Sequence, residues 1–319
     1  MTNSGQDIDH AKHLLENGSL VALPTETVYG LAGNAFNIEA ITQVFKVKRR
    51  PSFDPLIVHT HSLEAAEHLV EAIPENARIL AERFWPGPIT LLLKKKNNIA
   101  DLVTSGMDTV AVRVPNQPLT LELLAALDFP LVAPSANPFG YVSPTTAKHV
   151  KDQLNGKIAY IMDGGPCQIG IESTIIGFEE EVATVYRLGG CSVEKIESCI
   201  GRVQIAAHST SDPKAPGMLK SHYAPVKPLK LGIIVAELKK REDKQRIGII
   251  SFNTFFDDIP ADHQLQLAPD GKLETAAKNL FSILRRMDSF DVDIILTESV
   301  PDHGLGRAIN DRLRRAAAK

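Results

Sequence analysis

A chain of 319 residues, 44% of them hydrophobic, suits two domains, each with its own core. The formal net charge of −3 excludes a whole-protein basic field for holding nucleic acid, though not a local basic patch. Cys167, Cys191 and Cys199 fit neither a zinc ribbon nor a C-x-x-C pair, no leader pattern opens the chain, and no apolar run is long enough to span a membrane, so free thiols in a cytoplasmic protein are expected.

In chain order, Ser19–Leu23 reads as a strand leading into a Pro-Thr-Glu-Thr turn. Ile38–Lys48 carries Ile38, Ile41, Val44, Phe45 and Val47 at helical spacing. Leu56–Val58, Ile89–Leu93, Val110–Val114 and Leu131–Ala133 are short apolar runs of the kind that buried strands show. Helices are expected at Leu119–Leu127 and Thr145–Leu154. Further strands are expected at Ile158–Met162, Thr174–Phe178 and Ala183–Leu188, with a closing helix at Ser192–Ile200. This mixture predicts an α/β sheet domain over residues 1–204. Residues 205–228 are rich in proline and polar residues, a linker composition. A second α/β pattern occupies 229–319: strands at Leu229–Val235, Ile247–Phe252 and Val292–Thr297, helices at Lys272–Met287 and Arg307–Ala317. It reads as a small Rossmann-like domain, and no G-x-G-x-x-G follows its first strand to support a dinucleotide role.

Five segments could carry chemistry. LPTETVYGLAGNAFN (Leu23–Asn37) puts hydroxyls, a carboxylate and glycines at a strand end, which suits either a ligand contact or a capped turn. In KVKRRPSFDPLIVH, four of the five residues Lys46–Arg50 are basic. That density suits a phosphate group or a solvated helix end, and Lys48 and Arg50 are expected to be partly exposed. DTVAVRVP places Arg113 in an apolar strand, where it needs an anionic partner and has the geometry for a carboxylate. APSANPFGYVSP (Ala133–Pro144) and IESTIIGF (Ile171–Phe178) set small polar residues at strand ends, as ligand loops or as ordinary turns. No G-x-S-x-G, H-E-x-x-H or P-loop occurs, so positioning of anions is favoured over covalent catalysis.

LPTETVYGL, K-x-R-P with PLIVH, VRVP, APSAN and ESTI, in this order, resemble the threonylcarbamoyl-AMP synthases, also called the YrdC-like family. APGMLKSHYAP and the second α/β region resemble its long, two-domain branch. The resemblance implies a twisted open α/β sheet with a large cavity, joined to a Rossmann-like domain by a linker that reaches over the site. It implies a nucleotidyltransferase that makes threonylcarbamoyl-AMP and pyrophosphate from L-threonine, bicarbonate or CO2, and ATP, for modification of adenosine 37 in tRNA. Magnesium would travel with ATP, no permanent cofactor is implied, and a tRNA-modifying transferase would take the product. Thr27, His59, Arg113, the Ala133 backbone and Ser173 would line the threonine side. Lys48 and Arg50 would face the phosphates and carry the catalysis. Thr109, Ser135, Asn137, Ser143 and Arg187 would lie on the nucleotide side, and Tyr223 would close on it from the linker. Asp54 stands where the family often has asparagine; its nucleotide contact would be lost, turned aside or made through magnesium. The alternative is a non-catalytic binder of double-stranded RNA or tRNA with the same fold, which would need a basic concave face but no threonine pocket.

Overall fold

Short apolar strands bounded by turn residues line up as one large mixed sheet, and a second, smaller sheet packs beside it. The computed structural model describes residues 1–179, 182–206, 223–239 and 245–318. The first domain contributes β1 (Asn3–Gly5), β2 (Val21–Leu23), β3 (Gly30–Asn34), β4 (Ile57–His59), β5 (Ile89–Lys94), β6 (Thr109–Arg113), β7 (Leu131–Val132), β8 (Tyr160–Met162), β9 (Thr174–Glu179), β10 (Val182–Arg187) and β11 (Gln204–Ile205). Their order is β1-β8-β2-β3-β7-β4-β6-β5-β9-β10-β11. Between them run α1 (Ile8–Glu16), α2 (Ile38–Lys48), α3 (Leu63–Glu67), α4 (Glu75–Phe84), α5 (Asp101–Thr104), α6 (Pro118–Ala126), α7 (Ala147–Leu154) and α8 (Val193–Ile200). Side-chain caps fix many of the starts: Asp7, Asn37, Ser62, Gln117, Thr146 and Ser192 each accept a bond from a backbone N–H of the first turn.

Alternation along the central strands decides where the site can form. Val58, Leu91, Val112 and Ile176 point into the main core, while Ile57, Leu92, Ala111 and Ile175 form a separate cluster. Burying a valine contributes roughly 1.5–3 kcal/mol, and a one-residue slip would turn every side chain over. Core burial of Val58 and Val112 therefore turns His59 and Arg113 to the opposite face from it. β4 and β6 are parallel with His59 opposite Arg113, so the two polar residues end side by side.

The second domain is an all-parallel sheet, β12 (Leu229–Leu231), β13 (Ile247–Ser251), β14 (Gln264–Gln266) and β15 (Ile294–Thr297), in the order β12-β15-β13-β14. Its helices are α9 (Ile234–Leu238), α10 (Leu273–Asp288) and α11 (Gly306–Ala317). One expected strand is shorter than its apolar run. Leu229–Val235 is not one strand: it ends at Leu231, turns at Gly232 and continues as α9, leaving Ile233 74% exposed. An apolar run of this length fits either state by periodicity alone.

α10 buries Leu273, Ala276, Ala277, Leu280, Phe281, Leu284 and Met287, and this cluster also takes in Val28, Val142 and Ile171 of the first domain. The domains thus share a core. Gly170 makes the close approach possible: its φ is +80°, and a Cβ there would lie 2.5 Å from the Lys278 backbone. Met218, Leu219 and His222 of the linker lie outside the described residues; Tyr223, Ala224 and Pro225 lie within them.

Candidate active site

The ends of β4, β6 and β10, the start of β9 and the turn after β2 meet at one edge of the large sheet. They enclose a cavity of about 570 Å³, counting space open to solvent. Thr25, Thr27, Gly30, Arg50, His59, Arg113, Ala133, Ser135, Glu172, Ser173, Arg187 and Tyr223 are on its wall. All of the residues expected on the threonine side are among them, with Arg50, Ser135, Arg187 and Tyr223 from the nucleotide side.

At one end, Arg113 Nη2 lies 2.6 Å from Glu26 Oε1, and its Nε donates to the Gly87 carbonyl at 3.2 Å. The other oxygen of Glu26 accepts from the Asn116 backbone at 3.1 Å. Nη1 of Arg113 has no partner among the described residues, so one corner of a buried guanidinium is left for a carboxylate. His59 stands alongside. Burial, then the charge on Arg113, pushes its imidazole down to about 3, so it is neutral at pH 7. Its Nδ1 is buried without a hydrogen-bond partner among the described residues. A buried polar atom left open on a cavity wall marks a place for a ligand group. Thr27 completes this end through a hydroxyl 2.8 Å from that of Thr25. Gly30 lets Ala133 close in: a Cβ at Gly30 would lie 3.1 Å from the Ala133 Cβ.

Toward the other end, Ser173 Oγ contacts Thr90 Oγ1 at 2.7 Å and accepts from Arg187 Nη2 at 3.0 Å. Burial lowers the Arg187 guanidinium to about 10, leaving it charged at pH 7. Arg50 reaches the wall from the loop after α2. Its Nη2 lies 2.9 Å from Asp54 Oδ2, and its donors also hold the carbonyls of Asp54 and Pro55. Three arginines on one small wall make an anion site.

Several expected contacts sit behind this wall. Lys48 and Arg50 were expected to be partly exposed; Lys48 is 1% exposed and the Arg50 side chain 5%. Lys48 Nζ donates to the carbonyls of Ser135 and Asn137, so it braces that loop from behind. Burial, then Arg50, holds its ammonium well below the usual lysine range. Asp54 is sealed behind Arg50, turned aside from the cavity, which answers its extra charge with a counter-ion. Asn137 donates to the carbonyls of Pro138 and Tyr141, and its Oδ1 is buried without a hydrogen-bond partner among the described residues. Ser143 is off the wall, but its hydroxyl donates to Glu172 Oε1 at 2.6 Å. Thr109 shares a sheet face with Arg113 but stands roughly 13 Å back along β6.

Tyr223 comes in over the Arg50–Arg187 end. It is 1% exposed, stacks on Phe281 at 5.5 Å between centroids, and lies under Arg312 at 4.9 Å. Its φ of +64° is a conformation that bulky residues rarely adopt, and such strain gathers at functional sites.

A family model described as telomere recombination, covering the Sua5, YciO and YrdC proteins, matches residues 13–189, and a model of the threonylcarbamoyl-AMP synthase C-terminal domain matches 191–318. The chain belongs to the threonylcarbamoyl-AMP synthase family. It is 41% identical to the threonylcarbamoyl-AMP synthase of Pyrococcus abyssi, over 96% of this chain and 93% of that one. It is 40% identical to that of Bacillus subtilis, over 99% and 94%. Among solved structures, P. abyssi Sua5 complexed with L-threonine superposes with a TM-score of 0.89 at 39% identity, covering 99% of this chain and 97% of that one. Escherichia coli YciO, at 20% identity and a TM-score of 0.52 over 59% of this chain, shares the fold of the first domain.

Against that family background, the site holds residues that sequence reading passed over. Glu172 is on the wall and Glu26 holds the wall residue Arg113, so both are paired with arginine. Each has a local signal: a carboxylate directly beside a buried hydroxyl residue, Thr25 and Thr27 for one and Ser173 for the other. Arg312 has none, because its partner Glu172 is far away in sequence.

Proposed function

We propose that this cavity joins L-threonine, bicarbonate and ATP to give threonylcarbamoyl-AMP and pyrophosphate, for the threonylcarbamoyl modification of tRNA adenosine 37. The threonine ammonium and bicarbonate condense to a carbamate, releasing water and a proton. A carbamate oxygen attacks the α-phosphorus, the new O–P bond forms, and the bond to the pyrophosphate leaving group breaks. No side-chain nucleophile is needed. What the protein must supply is fixed positive charge around converging anions. Arg113 would take the threonine carboxylate on its open corner. Neutral His59 would offer a hydrogen bond without adding charge, and Arg50 and Arg187 would meet the phosphates. Lys48 would act from behind, by fixing the Ser135–Asn137 loop. Magnesium would enter with ATP as part of the substrate.

In this reading residues 1–204 carry the chemistry, 205–228 join and cover it, and 229–319 support it. A cytoplasmic location and hand-over to a tRNA-modifying transferase belong to the same proposal. The observation that carries it is one cavity wall presenting a half-open Arg113 with Thr27 and His59 together with Arg50, Arg187 and Ser173. The test is pyrophosphate release from ATP, measured with L-threonine and bicarbonate each omitted in turn. Release should require both. Equal release without threonine would remove the assignment.

A further inference from the structure

The second domain places one arginine inside the first. Arg312, on α11, is 0% exposed. Its Nε donates to Glu172 Oε2 at 2.9 Å, its Nη1 to Asp311 at 2.7 Å and its Nη2 to the Leu188 carbonyl at 2.8 Å. Burial works against its charge, but Tyr223, Glu172 and Asp311 together raise its affinity for the proton. Glu172 is on the cavity wall, and its other oxygen accepts from Ser143 Oγ at 2.6 Å. The same guanidinium lies over the ring of Tyr223, also on the wall.

A second arginine grips the same loop from another side. Arg285, on α10, donates through Nε to the Ser143 carbonyl at 3.2 Å and through Nη2 to the carbonyl of Val142. It also reaches Gln153 Oε1 at 3.0 Å and stacks on Tyr141 at 4.9 Å. Thr145 Oγ1, just beyond, meets Ser282 Oγ of α10 at 3.0 Å. The 142–145 segment is thus held by side chains of the second domain. The contacts described at Arg113 come from the first domain alone.

We infer that Arg312 and Arg285 are positioning residues through which the second domain sets the affinity of the nucleotide end, while the threonine end is left to the first domain. The inference rests on the proposed reaction and names what the second domain does in it. Two physical effects point the same way. Arg312 fixes the rotamer of Glu172, and through it the Ser143 hydroxyl. It also cancels a carboxylate that would otherwise face incoming phosphates unpaired. A buried charge deprived of its partner is costly, and a negative one beside ATP repels it.

The test is steady-state kinetics on the full chain. Arg312→Gln should raise KM for ATP about tenfold or more, a difference of about 1.4 kcal/mol per decade, with KM for L-threonine changed less than about twofold. Arg312→Lys keeps the charge but not three directed donors, and should fall between. Adding Glu172→Gln to Arg312→Gln removes the uncancelled charge while Oε1 still accepts from Ser143; it should recover most of the loss, a coupling that independent sites do not show. If Arg312→Gln fails to fold, Arg285→Gln carries the test, with KM for ATP raised at least about threefold. Arg246→Gln, remote on the same domain, should leave both KM values alone. A lower Tm with both KM values unchanged, or both raised equally, would overturn the inference. A wild-type chain that releases no pyrophosphate would instead overturn the reaction itself.

Discussion

The two ends of the cavity differ in how much of the chain they need. The Arg113 end is made by the strands of one sheet: register sets His59 beside Arg113, and Glu26 returns from the turn after β2. The Arg50–Arg187 end borrows from the second domain, through Tyr223 stacked on Phe281 and Glu172 held by Arg312. An end built from a sheet register is rigid once the sheet forms. An end built at a domain interface depends on how that interface docks, and its affinity can be adjusted there. The Arg113 end therefore suits fixed selectivity, and the Arg50–Arg187 end suits control.

The largest effect should come from Arg50. Arg50→Gln should slow pyrophosphate release by about 3–4 kcal/mol, the scale of one lost transition-state donor. Stability should also fall, because the buried Asp54 carboxylate loses the guanidinium it pairs with at 2.9 Å, one of its partners. Arg50→Gln/Asp54→Asn should regain the stability, read by urea unfolding, but not the turnover. Recovery of both would mean that Arg50 serves the fold alone.

Arg113→Lys sharpens the comparison from the other end. A point charge replaces the planar fork, and KM for L-threonine should rise by the worth of a charged hydrogen bond, about 1.5–3 kcal/mol. KM for ATP should stay nearly constant, so equal weakening of both ligands would erase the division between the ends. L-Serine lacks only a methyl group and should lose about 1–2 kcal/mol in kcat/KM relative to L-threonine.

The smallest effect concerns pH. His59 titrates near 3 in the folded chain and near 6.5 when unfolded. Between those values the unfolded state binds more protons, so stability rises with pH and is lost on acidification. From pH 7 to pH 5 this group alone should remove about 1–2 kcal/mol of unfolding free energy. His59→Gln should show a correspondingly shallower loss by urea titration at the two pH values; an unchanged slope would mean that His59 is not held neutral.

Arg113 was legible because its signal is local: it interrupts an apolar strand, so alternation alone turns it out of the core. His59 was named only through the family resemblance, because the expected strand stopped at Val58, one residue short of it. α2 was legible from its spacing over Ile38–Lys48. β3 was not, because Gly30–Asn34 contains two glycines and reads as a ligand loop, although hydrogen bonds to β2 and β7 make it a strand. α4 was hidden by a sequence half of whose residues are charged or amide and in which only Ala77, Leu80 and Ala81 are fully buried. Exposure of charge was misjudged at Lys48 and Arg50 for a related reason. A basic run looks solvated until the carbonyls of Ser135 and Asn137 and the carboxylate of Asp54 are seen to receive it. The nucleotide end was least legible, because Arg312, Glu172 and Ser143 meet only when two domains dock.

The central claim is that one cavity holds threonine, a bicarbonate-derived carboxyl group and the AMP part of ATP together. Incubation with ATP, L-threonine and carbon-13 bicarbonate, followed by mass spectrometry of the nucleotide products, tests it most directly. The account predicts one species carrying AMP, threonine and a single labelled carbon, formed in step with pyrophosphate. Labelled carbon absent from every AMP-containing product, or ATP cleaved to ADP and phosphate, would contradict it.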